Sequence, residues 1–156
     1  MYIETLKKNP ISDVLDTNKL AIFMIKPCGR RMSIGGYSLE ELTKGLIQSA
    51  GLEIVDESEK LLIPFEVRKI YPILDIPDPI FGETWKEEVI SHLTSREVLS
   101  LLLEGNDAQP KAKIIKNYLR NTLILDNDFH HKIVKNIAHV ADNQDFDTTY
   151  NVLFQK

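Results

Sequence analysis

Apolar residues along this chain fall into short blocks with two different periods. Lys19 to Lys26 (KLAIFMIK) is a nearly continuous apolar run closed by Pro27 and Gly29. A run this short, rich in Ile and Phe and ended by breakers, predicts a buried central strand. The loop PCGRRMSIGG follows, and then Ser38-Leu39-Glu40-Glu41 reads as a capping box. In that motif the Ser hydroxyl accepts from the Glu41 N–H while the Glu41 carboxylate reaches back. Leu39, Leu42, Leu46 and Ile47 keep one helical face apolar, and Gly51 ends the helix. Leu52 to Ile63 reads as a long strand with a polar middle, and Pro64 suits the first position of a helix through Tyr71. Pro72, Pro77 and Pro79 break regularity before a helix over Glu83 to Leu93, with Trp85, Val89 and Leu93 on one side. Arg96 to Leu103 predicts a second buried strand. Asp107 caps a helix through about Arg120, with Pro110 in its first turn. Residues 121–131 read as irregular and Lys132 to Val140 as strand-like. Asp142 is placed to cap a last helix carrying Phe146, Tyr150 and Leu153.

The resulting order, β-α-β-α-α-β-α-β-α, predicts an α/β sheet covered by helices. Periodicity alone does not choose between a doubly wound parallel sheet and a ferredoxin-like antiparallel one. Composition narrows the class of protein. At 156 residues the chain suits one domain, large enough to hold a core without disulfides or a structural metal. Nineteen Lys and Arg against 23 Asp and Glu give a net charge of −4, which argues against the broad basic surface of a nucleic-acid coat. Cys28 is the only cysteine, so a reducing compartment is expected and a multi-cysteine zinc site is excluded. The start, MYIETLKKNP, lacks the apolar stretch of a signal peptide, and no run is long enough to span a membrane. A cytoplasmic protein without membrane or nucleic-acid partners is expected.

Common phosphate and metal motifs are missing: there is no G-x-x-x-x-G-K-[ST], no G-x-G-x-x-G and no H-E-x-x-H. Gly35-Gly36 is too little to count as one, and the adjacent His130-His131 reads as a solvated loop feature. Two residues have chemical promise. His139 ends an apolar run, where a histidine can project into a cleft, although a packed or surface histidine is the plainer reading of the residue alone. Lys26 closes the central strand beside a glycine-containing loop, a position suited to an anion. Its plainer reading is a strand-end lysine with its ammonium in water.

Taken together, Ile22 to Gly29 (IFMIKPCG), Asp128-Phe129, and Asn136-Ile137-Ala138-His139 with Asp142 resemble the nucleoside diphosphate kinase family. SAGLEIV at 49–55 and Leu103-Glu104-Gly105 with the helix after it add to the likeness. It covers most of residues 19–154 in the same order and nearly the same spacing. The resemblance implies a ferredoxin-like antiparallel sheet covered by helices over residues 19–156; residues 1–18, mixed and polar, read as an N-terminal docking arm or a short helix. It implies that His139 is the catalytic histidine and Lys26 the phosphate-binding lysine. Asn136 would contact the ribose, Tyr71 would stand near the histidine, Phe81 would stack on the base, and Lys113 would match a phosphate arginine. It further implies transfer of a γ-phosphate from a nucleoside triphosphate to a diphosphate through a phosphohistidine, with Mg²⁺, and a symmetric homo-oligomer. An imidazole with a pKa of about 6.5 is largely neutral at pH 7 and attacks phosphorus without a separate base. The remaining need is positive charge on the transferring oxygens.

The chain departs from the family pattern at several phosphate-facing positions. Cys28 replaces the Asp of K-P-D-G, and Asp126 stands where an arginine is expected three residues before Phe129. Lys113 keeps a charge but loses the bidentate fork of arginine. Leu119 lies near the place of a threonine, Ala141 replaces a serine, and Thr149 or Tyr150 stands for the glutamate that orients the histidine. Arg30 and Arg31 could compensate, or could be solvated loop residues; a local realignment of 120–131 would bring in Arg120 or Thr122. Two functions follow: a phosphotransferase acting through His139, or a catalytically silent nucleotide-binding or oligomerisation module on the same fold.

Overall fold

The computed structural model describes residues 19–80, 82–123 and 137–155. Its main sheet has four strands: β1 (Leu20–Ile25), β4 (Glu53–Lys60), β5 (Val98–Glu104) and β6 (Ala138–Val140). The order across the sheet is β4-β5-β1-β6, and every neighbouring pair is antiparallel. This is the ferredoxin-like arrangement: β1 and β4 are joined by a helix, and β5 slots between them. A hairpin of β2 (Ser33–Ile34) and β3 (Tyr37–Ser38) precedes α1 (Leu39–Ser49). Then come α2 (Pro64–Ile70) and α3 (Thr84–Leu93) between β4 and β5, α4 (Ala108–Leu123) after β5, and α5 (Phe146–Phe154) after β6.

β1 is inner, and all six of its residues are buried, as its unbroken apolar run requires. Alternate residues serve opposite faces. Ala21, Phe23 and Ile25 join Leu39, Ile47, Ala112, Ile115 and Leu119 under α1 and α4. Leu20, Ile22 and Met24 join Val67, Ile70, Val89 and Phe146 under α2, α3 and α5. β6 is an edge strand in register with β1, His139 lying opposite Met24.

Local signals place most boundaries. Ser38 Oγ accepts from the Glu41 N–H at 3.1 Å, and Pro64 opens α2. Three expectations are corrected. The polar-centred strand stops at Lys60 rather than Ile63. The helix after Asp107 continues past Arg120 to Leu123. Asp107 stands directly before that helix, at the cap position, with φ 55° and its carbonyl accepting from Lys111. A turn at Asn143–Asp145 intervenes before α5, and Asp142 makes no side-chain cap.

Gly29 has a steric reason. A Cβ there would lie 2.8 Å from Leu39 Cδ2 and 3.0 Å from the Ile137 carbonyl. The same carbonyl accepts from the Lys26 N–H at 2.9 Å, so the missing side chain lets the turn after β1 seat against the start of β6. Gly29→Ala should cost about 1–3 kcal/mol, the usual penalty for forcing a methyl into packed surroundings. Thermal melts check this, and an unchanged Tm would show that the contact yields.

Candidate active site

The end of β1 and the edge strand β6 bring the two residues of greatest chemical promise together. His139 projects from β6 on the Met24 face, and Lys26 follows β1 directly. Tyr71 closes α2 and reaches both: its ring lies 4.5 Å from the His139 ring, tilted by 46°, and the Lys26 Nζ sits 5.3 Å from its centroid. Among the described residues, the buried Tyr71 hydroxyl has no hydrogen-bond partner.

Lys26 is not a strand-end lysine in water; it is 3% exposed. Burial, then the charge of Arg120, pulls its pKa down to about 7, helped by Lys116 and opposed by Cys28. The Tyr71 phenol is pushed up by burial and stays a protonated donor. His139 is only partly exposed, and its pKa is held well below the ordinary value. Burial is the first cause, followed by Lys26, Lys116, Arg120 and Lys113. Among the described residues, every charge acting on the imidazole is positive. The ring is therefore a neutral nucleophile within a cationic wall.

Most of that wall is one side of α4. Lys113, Lys116 and Arg120 recur at i, i+3 and i+7, the spacing of a helix face. The Lys113 Nζ meets the Asp142 carboxylate at 2.8 Å. Lys116 is the member that reading residues singly misses; the helix spacing held the signal. Arg120 belongs to the helix and enters the site without any realignment of a loop. Arg30 is no substitute phosphate ligand: its Nε donates to Glu40 at 2.6 Å, and it also pairs with Glu59 at 3.4 Å. Asn136, Phe81, Asp126, Phe129 and the His130-His131 pair lie outside the described residues, and so do the side chains of Arg31 and Thr122.

Solved structures match this architecture. The halophilic nucleoside diphosphate kinase from Halobacterium salinarum, solved in complex with CDP, aligns with TM-score 0.63 and 16% identity, covering 89% of each chain. The Aquifex aeolicus nucleoside diphosphate kinase aligns with TM-score 0.61 and 18% identity over 88% of this chain and 95% of that one. A nucleoside diphosphate kinase family protein from Babesia bovis gives 0.60 and 17%, covering 88% of each. The fold is that of the nucleoside diphosphate kinases. No family model and no curated protein matches the sequence.

Within this nucleoside diphosphate kinase fold, the departures from the family pattern now have positions. Leu119 and Ala141 are each 1% exposed, so neither offers a polar group to a phosphate. The Ala141 carbonyl accepts from the buried Gln109 side chain. Tyr150 stacks between Phe146 and Phe154 in the core, and Thr149 is buried with its hydroxyl unpartnered. Neither supplies a carboxylate to orient His139. The described residues contain no cluster of three or more His, Cys, Asp or Glu fit for a metal. The cations facing His139 do not suit a protein-held Mg²⁺. No helix among the described residues is long and apolar enough to cross a membrane.

Proposed function

We propose that this chain moves the γ-phosphate of a nucleoside triphosphate to a nucleoside diphosphate through a phosphohistidine at His139. The observation that carries this reading is a neutral imidazole, packed on Tyr71 and acted on by four cations. His139 attacks the γ-phosphorus in line; the bond to the β-bridging oxygen breaks, and the diphosphate leaves with the electron pair. Lys26 offers an ammonium to the transferring oxygens, and the Tyr71 hydroxyl is a buried donor in want of an acceptor. A second diphosphate then takes the phosphoryl group back from the ring. Mg²⁺ is proposed as the counter-ion of the polyphosphate, arriving with the substrate. Asn136 and Phe81 are proposed to hold the ribose and the base, and Lys113 to contact phosphate. The proposed setting is the cytoplasm, where a thiol such as Cys28 stays reduced.

Incubation with γ-labelled ATP tests the reading. Acid-labile, base-stable label should map to His139 by mass spectrometry and discharge on adding a nucleoside diphosphate. Label on another residue, or none, overturns it. A second reading is favoured by the buried Ala141 and Thr149: without an orienting carboxylate, the site binds nucleotide but does not turn over. Nucleotide binding without label would select that one. We also propose a homo-oligomer, with the 1–18 arm contributing contacts. Light scattering should give a mass above 17.9 kDa at micromolar concentration, and a clean monomer refutes it.

A further inference from the structure

His139 sits on the shortest strand of the main sheet. β6 is three residues long, lies at the sheet edge and keeps register with β1 over Ala138, His139 and Val140. The ends of so short an edge strand open readily unless something else holds them. Just past β6 the chain is tied to α4 twice. The Gln109 Nε2 donates to the Ala141 carbonyl, and the Lys113 Nζ meets the Asp142 carboxylate at 2.8 Å. Gln109 and Lys113 are one helical turn apart, so both ties leave the same side of α4. They are not equal. The Lys113 pair lies in the open, where an ion pair holds little. Gln109 and Ala141 are both buried, so their bond forms where water does not compete.

The helix start behind Gln109 is itself fixed. The Gly105 N–H donates to the Lys19 carbonyl at 2.9 Å, and the Asp107 carbonyl accepts from the Lys111 N–H at 3.0 Å. A Cβ on Gly105 would lie 2.7 Å from Leu52 Cδ2, so this turn is packed close. The Gln109 Oε1 is buried and has no hydrogen-bond partner among the described residues. A buried amide with one idle end carries a cost, and the donor end is what offsets it here.

We infer that Gln109 is a positioning residue: through the Ala141 carbonyl it pins the exit of β6 and so holds the His139 ring on Tyr71, aimed at an incoming phosphorus. The inference rests on the phosphotransfer reading of His139. It supplies from α4 a rigidity that neither Thr149 nor Tyr150 gives as a carboxylate would.

Two substitutions separate positioning from packing. Gln109→Leu keeps similar volume and removes the donor; Gln109→Glu donates only when protonated. At pH 7.5 and saturating γ-labelled ATP, Gln109→Leu should slow labelling of His139 by about ten- to a hundredfold, the effect of a misplaced reacting group. The ATP concentration giving half the maximal rate should stay within about twofold of wild type. Gln109→Glu should be as slow at pH 7.5 and recover about fivefold or more at pH 5.5, where a buried carboxyl regains its proton. Neither wild type nor Gln109→Leu should show that recovery. By NMR, amide exchange at His139 and Val140 should quicken about tenfold in Gln109→Leu, and the His139 ring protons should lose the shift that the Tyr71 ring imposes. Ile47→Val, a buried change on α1, is the destabilised control and should label as wild type does.

A wild-type labelling rate in Gln109→Leu overturns the inference, and so does a slowing that Ile47→Val shares at equal loss of Tm. A wild type that takes no label removes the phosphotransfer reading, and the spectra then decide. Faster β6 exchange with a displaced His139 ring keeps Gln109 as the residue that places the imidazole; unchanged spectra remove it. Should Gln109→Leu fail to fold, the acid recovery of Gln109→Glu decides, its absence overturning the inference.

Discussion

Lys26→Met should raise the melting temperature at pH 7 by about 5–15 °C, while phosphoryl transfer to His139 falls by about 10²–10³-fold. The two effects share one cause. The ammonium is 3% exposed, and burial with Arg120 beside it brings its pKa to about 7, against 10.5 for an ordinary lysine. Between those values the unfolded chain holds a proton that the folded chain has lost. Stability therefore rises with pH across that window, and the penalty is at its full size below about pH 7. At 1.36 kcal/mol per pKa unit, the penalty at pH 7 is on the order of 4 kcal/mol. Met fills similar volume and needs no hydration, but it forfeits the ammonium's place over the Tyr71 ring, so about 2–4 kcal/mol should be recovered. Melts of both proteins at pH 7 and pH 9.5 check the sign: the variant's advantage should shrink at the higher pH. A variant less stable than wild type at pH 7, with a gap that ignores pH, would mean that Lys26 has a partner which satisfies it. A stabilised variant that still transfers phosphate at the wild-type rate would remove Lys26 from the chemistry. Gain of stability with loss of transfer is the pattern of a strained site residue.

What could be read from the sequence was what local chemistry determines. The run Leu20–Ile25 is buried throughout because nothing in it is polar, and Ser38 caps α1 because its hydroxyl has one good acceptor role there. The antiparallel order was beyond periodicity and came only with the family likeness; the sheet bears it out. The hairpin β2–β3 escaped because two-residue strands carry no period. Its turn was nonetheless spelled out, since Gly35 and Gly36 both take positive φ, at 56° and 87°, as a tight two-residue hairpin turn demands. The burial of Lys26 was not legible. A lysine after a strand ordinarily keeps its head in water, and only the packing of Tyr71 and α4 around it decides otherwise. The stripe Lys113, Lys116, Arg120 was legible as spacing. Its significance was not, because ending the helix at about Arg120 left that side chain at a frayed end, whereas α4 runs to Leu123 and anchors it.

His139→Ala should abolish labelling from γ-labelled ATP, a fall on the order of 10³-fold or more, because no other group replaces a covalent nucleophile. The more revealing result is the pH profile of the wild type. Transfer needs a neutral imidazole and a charged Lys26 together. Burial, then Lys26, Lys116, Arg120 and Lys113, holds His139 well below its ordinary pKa, so its neutral form persists into mildly acid solution. An unshifted imidazole would be about a tenth neutral at pH 5.5 and its rate would drop about tenfold. Here the initial labelling rate at pH 5.5 should stay within about threefold of that at pH 7. The alkaline limb should be set by Lys26, falling above about pH 7 at limiting nucleotide as its proton leaves. Saturating nucleotide should move that limb upward, since polyphosphate beside the ammonium favours its charged form. In Lys26→Met the alkaline limb should vanish along with the residue that makes it. A wild-type rate that climbs about fivefold between pH 5.5 and 6.5 would show that His139 titrates as an exposed imidazole, and that the cations of α4 do not face it in solution.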